Sequence, residues 1–553
     1  MWRAILMSVV LGSSSGLLTT QAHADQKKDR AAAPAVRPER AEPLTLSAFI
    51  DLIHGSDETI LVQRLEEEIA SQKVKAAEAV YEPFFTANAS YDNSYILNTA
   101  NEILQRASQA EYRSKVAQVN NTIGVKIPTG ADVEVSYNVA RLKNSLQNTV
   151  GSISPEYKAY LGLKLTQPLL RGAGLDATNS AIRIAEYERE MAREAVRQVE
   201  AQRLVEGITV YFNVQRAQQR VRLRREALEI SRRLLQEMRS QERNGLRSAG
   251  EALDVESATS QRQAQLEQAQ QDLEEQINEL QARVSARTRD AGLLRPRRYV
   301  AADRLTLQAE RIALPAELTG HEPAGHEWTG RPEAGNVPMP DRPDAANGLP
   351  PVLADGLARR PESKVIQNRI ARENVDVQYA ENQTLPELNV VARYGIEDLN
   401  TEARYRPVTS YLGSSIPYNS WTVGLTFKVG LYGDEKKKSD LNAAKTRRQQ
   451  AELAQMALQQ RIVNEIVSSA NVLDRILEVV ERQTATVDTQ RRLVAMEEGL
   501  VRQGRKSSVD LMKRRLDALT AEEALGDSIV LANRASLIAS QAQGRLLSRF
   551  DLE

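Results

Sequence analysis

Apolar and polar side chains alternate with period two in some segments of this chain and follow a helical period in others. From Tyr157 to Thr166 the odd positions are apolar or aromatic and the even ones mostly polar or small, and Trp421 to Gly430 repeats the pattern. Successive side chains of a strand point to opposite faces, so each segment predicts a strand with one apolar face. Phe85 to Tyr91 and Val390 to Tyr394 carry weaker versions. Thr122 to Ile127 and Asp132 to Val139 predict a hairpin turning at Pro128-Thr129-Gly130. The alternation fits a soluble sheet packed on a core, or a barrel whose apolar face meets lipid and whose polar face lines a lumen. Few other apolar segments exist to build a soluble core, which favours the barrel. Tyr157, Tyr160 and Trp421, near strand ends, then suit an interfacial aromatic girdle.

The helical segments are long. Leu175 to Arg243 has no proline and a single glycine, Gly207, and Asp434 to Arg502 also lacks proline. At 1.5 Å per residue each predicts a rod of roughly 100 Å. Val205, Ile208, Tyr211, Phe212, Leu223, Leu228, Ile230 and Leu234 form a narrow apolar stripe, which suits coiled-coil packing and self-association. The order of elements occurs twice. A medium helix (Leu44 to Val80, then Gly356 to Gln383) stops at Pro83 or Pro386. Strands follow, then a long helix, a glycine turn and another long helix. The expected organisation is a first repeat over residues 44–293, a Pro/Gly-rich linker over 294–355, and a second repeat over 356–553.

Composition sharpens this picture. The 553 residues are 26% charged and only 5% aromatic, as expected of long helices rather than several globular cores. Lys and Arg number 73, as do Asp and Glu, so no basic excess exists for nucleic acid. The absence of cysteine excludes a disulfide framework, a thiolate metal site and an N-terminal lipidated cysteine. Arg3, the apolar run Ala4 to Leu18 and Ala22-His23-Ala24 predict a signal peptide over 1–24, followed by a disordered leader over 25–43.

With these residues in view, the chain resembles the TolC-like outer-membrane efflux protein family over about residues 44 to 549. The resemblance is carried by the junction Leu165-Thr166-Gln167-Pro168-Leu169-Leu170-Arg171-Gly172, its counterpart Phe427 to Gly433, and the tips Asn244-Gly245-Leu246 and Gln503-Gly504-Arg505. It implies a mainly α chain with β: a trimeric outer-membrane β-barrel continued by a periplasmic α-helical coiled-coil barrel, with two internal repeats per chain. The implied function is the passive exit duct of a tripartite efflux pump or type I secretion system. Its implied partners are a homotrimer, a periplasmic adaptor, an inner-membrane transporter and outer-membrane lipid. The competing reading is a periplasmic coiled-coil adaptor or scaffold that never enters the membrane. It would lack the duplicated alternating strands.

No catalytic, cofactor or metal constellation stands out, and an enzyme is not expected. His23 falls in the signal segment. His321 and His326, beside Glu322 and Glu327, lie in the linker and read as part of a spacer. The candidate site residues are at the tips. Gly245, Leu246, Gly504 and Arg505 are candidates for docking the adaptor. Asp510 follows Gly504 by six residues and Glu251 follows Gly245 by six, with Asp254 one turn on. The family places an acidic ring at its periplasmic aperture, and the resemblance puts Asp510 there with Lys513 at the second acidic position. The alternative role for these carboxylates is ordinary support of a helix start.

Overall fold

The computed structural model describes residues 42–148, 155–284, 299–312, 350–400, 418–431 and 433–552. The signal segment, the leader, His321 and His326 therefore lie outside the described residues. In chain order the main elements are β1 (Glu42–Leu44), α1 (Leu46–Ser56), α2 (Glu58–Glu78), β2 (Phe84–Leu97), β3 (Glu111–Lys126), β4 (Asp132–Asn144) and β5 (Glu156–Pro168). The long helix α3 (Ser180–Arg243), α4 (Ala249–Val284) and β6 (Tyr299–Ala301) complete the first half. The second half has α5 (Pro351–Arg359), α6 (Pro361–Thr384), β7 (Glu387–Asn400), β8 (Asn419–Lys428), α7 (Glu435–Arg502) and α8 (Ser508–Ala542).

Both halves run from helix through strands to a long helix, a glycine turn and a further helix, with four strands described in the first half and two in the second, and the medium helices differ from expectation in detail. Each is two helices. Asp57 ends α1 and starts α2, its carboxylate accepting hydrogen bonds from the Thr59 and Ile60 amides. In the second half the break falls at Arg360-Pro361, because Pro361 fits the first position of α6 but has no amide to continue α5. The first long helix begins at Ser180 rather than Leu175. A single turn over Leu175–Thr178 precedes it. Part of the expected linker is built into the fold: β6 pairs in parallel with β1. Beyond it, the Asn533 side chain accepts from the Gln308 amide and donates to the Thr306 carbonyl.

The stripe on α3 broadens into a real core around residues 204–217. Phe49 and Ile53 of α1 pack there with Leu204, Ile208, Tyr211 and Phe212, joined by Ile277 and Leu280 of α4 and Leu537 of α8. Gly207 lets α1 come this close: a Cβ atom on it would sit 2.2 Å from Ile53 Cδ1. The Tyr211 hydroxyl lies 2.8 Å from Asp303 Oδ2 and 2.9 Å from the Leu44 carbonyl, and burial pushes its pKa up. Smaller clusters join α7 to α8 (Leu473 and Leu477 with Ala532 and Ala535) and α5 to α7 (Leu353 with Ile462 and Ile466).

Six strands form one sheet in the order β2-β3-β4-β5-β7-β8, every neighbouring pair antiparallel. They are longer than the sequence pattern marks, at 10 to 16 residues each. Asn, Ser and Lys near their ends join the strands because the ladder is made of backbone hydrogen bonds, which do not depend on side-chain polarity.

Candidate channel wall and helical tips

Register decides what each face of the sheet can do. Across all six strands Phe85, Ile123, Val135, Leu163, Tyr394 and Trp421 stand in one row. Val125, Val133, Leu165, Ala392 and Val423 form the row beside it on the same face. The first row is exposed along its whole length, with Trp421 at 73% and Phe85 at 65%. An apolar face of this size that no described residue covers is unlike the surface of a water-soluble monomer.

The opposite face is polar. It carries the row Thr86, Thr122, Ser136, Gly162, Gly395 and Ser420, and next to it Asn88, Asn120, Asn138, Tyr160 and Glu397. Lys164 pairs with Glu134 at 3.1 Å and Lys158 with Glu397 at 3.1 Å on that side. Tyr160 corrects an expectation. It stands three residues from Tyr157, so the pleat turns it to the polar face and away from any lipid-side girdle. Its ring fills the space over Gly162 and Gly395, where an added Cβ would lie 2.4 Å from it. Trp421, Tyr394, Tyr91 and Tyr157 remain on the apolar face.

At the far end of the helices, both tips have the same backbone. Gly245 has φ +71° and Gly504 φ +69°. The Gly245 amide donates to the Glu242 carbonyl and the Leu246 amide to the Gln241 carbonyl, both at 2.9 Å. Gly504 and Arg505 repeat this on Val501 and Leu500. This paired pattern closes a helix on a left-handed residue, which glycine adopts without strain. Gly245, Leu246, Gly504 and Arg505 are all exposed.

The carboxylates are arranged less uniformly. Ser507 caps α8 through the Val509 amide, so Asp510 lies in the first turn, exposed, without being the cap itself. Glu251 pairs with Arg247 at 3.0 Å, and Asp254 is exposed. No hydrogen bond among the described residues joins these three carboxylates to one another. The two tips meet instead through apolar side chains: Leu234 and Met238 of α3, Val255 of α4, and Val509 and Met512 of α8.

A carboxylate not singled out from the sequence proves central. Glu497 of α7 is buried and accepts from Lys506 in the turn at 2.7 Å and from Arg514 of α8 at 3.3 Å. The hydrogen bond from Lys506 holds its carboxyl below the usual glutamate range. Nothing in the local sequence separates Glu497 from Glu498, which pairs with Arg515. Only the turn brings its partners together. His54 is part of the helix packing, next to Arg64, which also pairs with Glu200 at 2.7 Å.

The sequence profile of the outer membrane efflux proteins matches residues 130–284 and 352–542. The chain belongs to this family. It is an outer membrane efflux protein. The match spans the junction, both long hairpins and both tips. Solved structures share the fold at low identity. The Campylobacter jejuni CmeC outer membrane channel is 14% identical with a TM-score of 0.55, over 90% of this chain and 85% of that one. The outer membrane protein VceC from Vibrio cholerae is 14% identical with a TM-score of 0.53, over 90% and 95%. The open state of the Neisseria gonorrhoeae MtrE outer membrane channel is 13% identical with a TM-score of 0.53, over 90% and 89%. No curated protein sequence matches the chain.

Proposed function

We propose that three copies of this efflux protein join their sheets into one closed barrel and their helices into a periplasmic tunnel, a passive exit duct. The observation that supports it is the six-stranded sheet with an exposed apolar face and, among the described residues, two open edges, β2 and β8. Unpaired strand edges cannot face hydrocarbon, so the sheet must close on others like it. Six alternating strands leave β2 and β8 antiparallel to each other, so β8 of one copy can pair with β2 of the next without a parallel seam. Three sheets of six would give a barrel of eighteen strands, wide enough for an aqueous lumen. Each strand is long enough to cross a bilayer when tilted, for which about 9–11 residues suffice.

On this reading residues 1–24 direct export, and the repeats over 44–293 and 356–553 flank the segment 294–355. The Gly245 and Gly504 tips receive a periplasmic adaptor. An inner-membrane transporter, in a tripartite pump or a type I secretion system, supplies the substrate. Asp510, with Glu251 and Asp254 near it in the chain's two tips, lines the periplasmic aperture. The test is sodium carbonate extraction of membranes followed by native mass measurement in detergent. Retention in the membrane and a trimeric mass are expected. Release as a soluble periplasmic protein would favour the adaptor reading, and a stable monomer would remove the trimeric duct.

A further inference from the structure

Among the described residues, every charged side chain on the apolar face of the strands stands at one end of the sheet. That end carries the β2–β3 and β4–β5 connections and lies opposite the end joined to the helices. The residues are Glu111, Arg113 and Lys115 of β3, Arg141 and Lys143 of β4, and Asp398 of β7, two strands from β4. Arg113 lies over the Tyr95 ring at 4.4 Å and 3.8 Å from Glu111. Lys115, Arg141 and Lys143 are exposed and make no ion pair among the described residues. Lys115 and Lys143 stand directly opposite each other across β3 and β4, and Arg141 stands one row nearer the helices. Like charges facing each other across a strand pair destabilise the sheet when nothing neutralises them.

The height of this cluster on the wall is informative. From Val125, near the helical end, to Lys115 is ten residues of β3. At about 3.4 Å per residue and a strand tilt of about 40°, they span roughly 26 Å along a barrel axis. The apolar band of a membrane barrel is about 25 Å tall. The cations therefore stand where hydrocarbon gives way to headgroups, on the side away from the helices. Just below them Tyr91, Ala117, Val119, Val139, Arg141 and Tyr157 line a groove of about 530 Å³, open because Ala117 is short between two tyrosines.

We infer that this corner of the sheet binds an anionic, phosphate-bearing lipid of the outer leaflet. Lys115, Arg141 and Lys143 hold the phosphate oxygens, and an acyl chain lies in the groove. Three cations this close favour a headgroup of net negative charge over a zwitterionic one, whose ammonium they repel. Strands β3 and β4 are interior to the sheet, so a copy joined at the β2 edge lies beside this patch rather than over it. The inference rests on the barrel reading above and adds which lipid the wall selects.

The test is thermal melting of the detergent-purified protein with diphosphorylated lipid A, phosphatidylcholine or inorganic phosphate. Lipid A should raise the melting temperature at concentrations where the other two do not. In the Arg141→Gln/Lys143→Gln protein that rise should be lost, with the native mass kept and the melting temperature in detergent alone not lowered. Lys115→Gln provides a second variant should the first disturb folding. An equal rise with phosphatidylcholine would leave only an apolar groove, and an equal rise with inorganic phosphate only a bare anion site. Either result overturns the inference, as does an undiminished rise in both variants. Release of the protein from carbonate-washed membranes would instead overturn the barrel reading.

Discussion

Substitutions at Gly504 separate the shape of the tip from its use. The residue has φ +69°, and a Cβ atom built on it meets no heavy atom within 4 Å. A left-handed conformation costs an ordinary L-residue about 1–2 kcal/mol. Because the surroundings are open, side-chain size adds no steric cost, so Gly504→Ala and Gly504→Trp should lose similar stability. One kcal/mol moves the melting temperature of a domain of 150–250 residues by roughly 2–4 °C, and less for a longer cooperative unit. Both variants should therefore melt within a few degrees of the parent in detergent, and within about one degree of each other. Export should diverge. If an adaptor seats on this surface, Gly504→Trp abolishes export in cells lacking the parent gene while Gly504→Ala keeps most of it. A Trp variant that melts far below the Ala variant would refute the open-surroundings argument. Equal loss of export in both would show that backbone geometry matters and surface shape does not. Gly245, at φ +71° and equally open, provides the parallel pair.

Gly207→Ala should destabilise the protein by about 1–2 kcal/mol, overpacking against Ile53 outweighing the helix propensity gained. In an Ile53→Val background that cost should vanish, and an unchanged cost there in a double-mutant cycle would show that Ile53 is not the obstacle. Asp510→Ala should alter cation selectivity or raise conductance in planar bilayers without lowering the melting temperature. Unaltered conductance together with lost stability would assign Asp510 to its helix start alone. For Glu497 the folded-state pKa lies below its ordinary value of 4.5, so its ionised form stabilises the tip above that value. The benefit fades as pH falls through the lowered pKa. The melting difference between the parent and Glu497→Gln should be full at neutral pH and shrink below about pH 4.5, and a difference that stays constant to strongly acid pH would sink the argument.

The sequence by itself determined the two rods, the strand alternation and both glycine tips. Each rests on information local to a few residues: a period of two, a long run without proline, a glycine between helices. Helix breaks were harder to see, because Asp57 and Arg360 interrupt helices through a cap and a proline junction within otherwise helical pattern. What only the tertiary structure decided is everything that depends on which segments become neighbours. Strand register turned Tyr160 to the polar face over Gly162 and Gly395, and extended the apolar row from Phe85 to Trp421 across six strands. The hairpin turn placed Lys506 and Arg514 on Glu497, making one acidic residue among many a buried, paired one. Packing of α1 onto α3 gave Gly207 its reason, and the segment after α4 became a strand beside β1. Periodicity reports which side of an element is apolar. It does not report what that side meets, because a contact is set by distant parts of the chain and here, in the proposed barrel, by another copy of it.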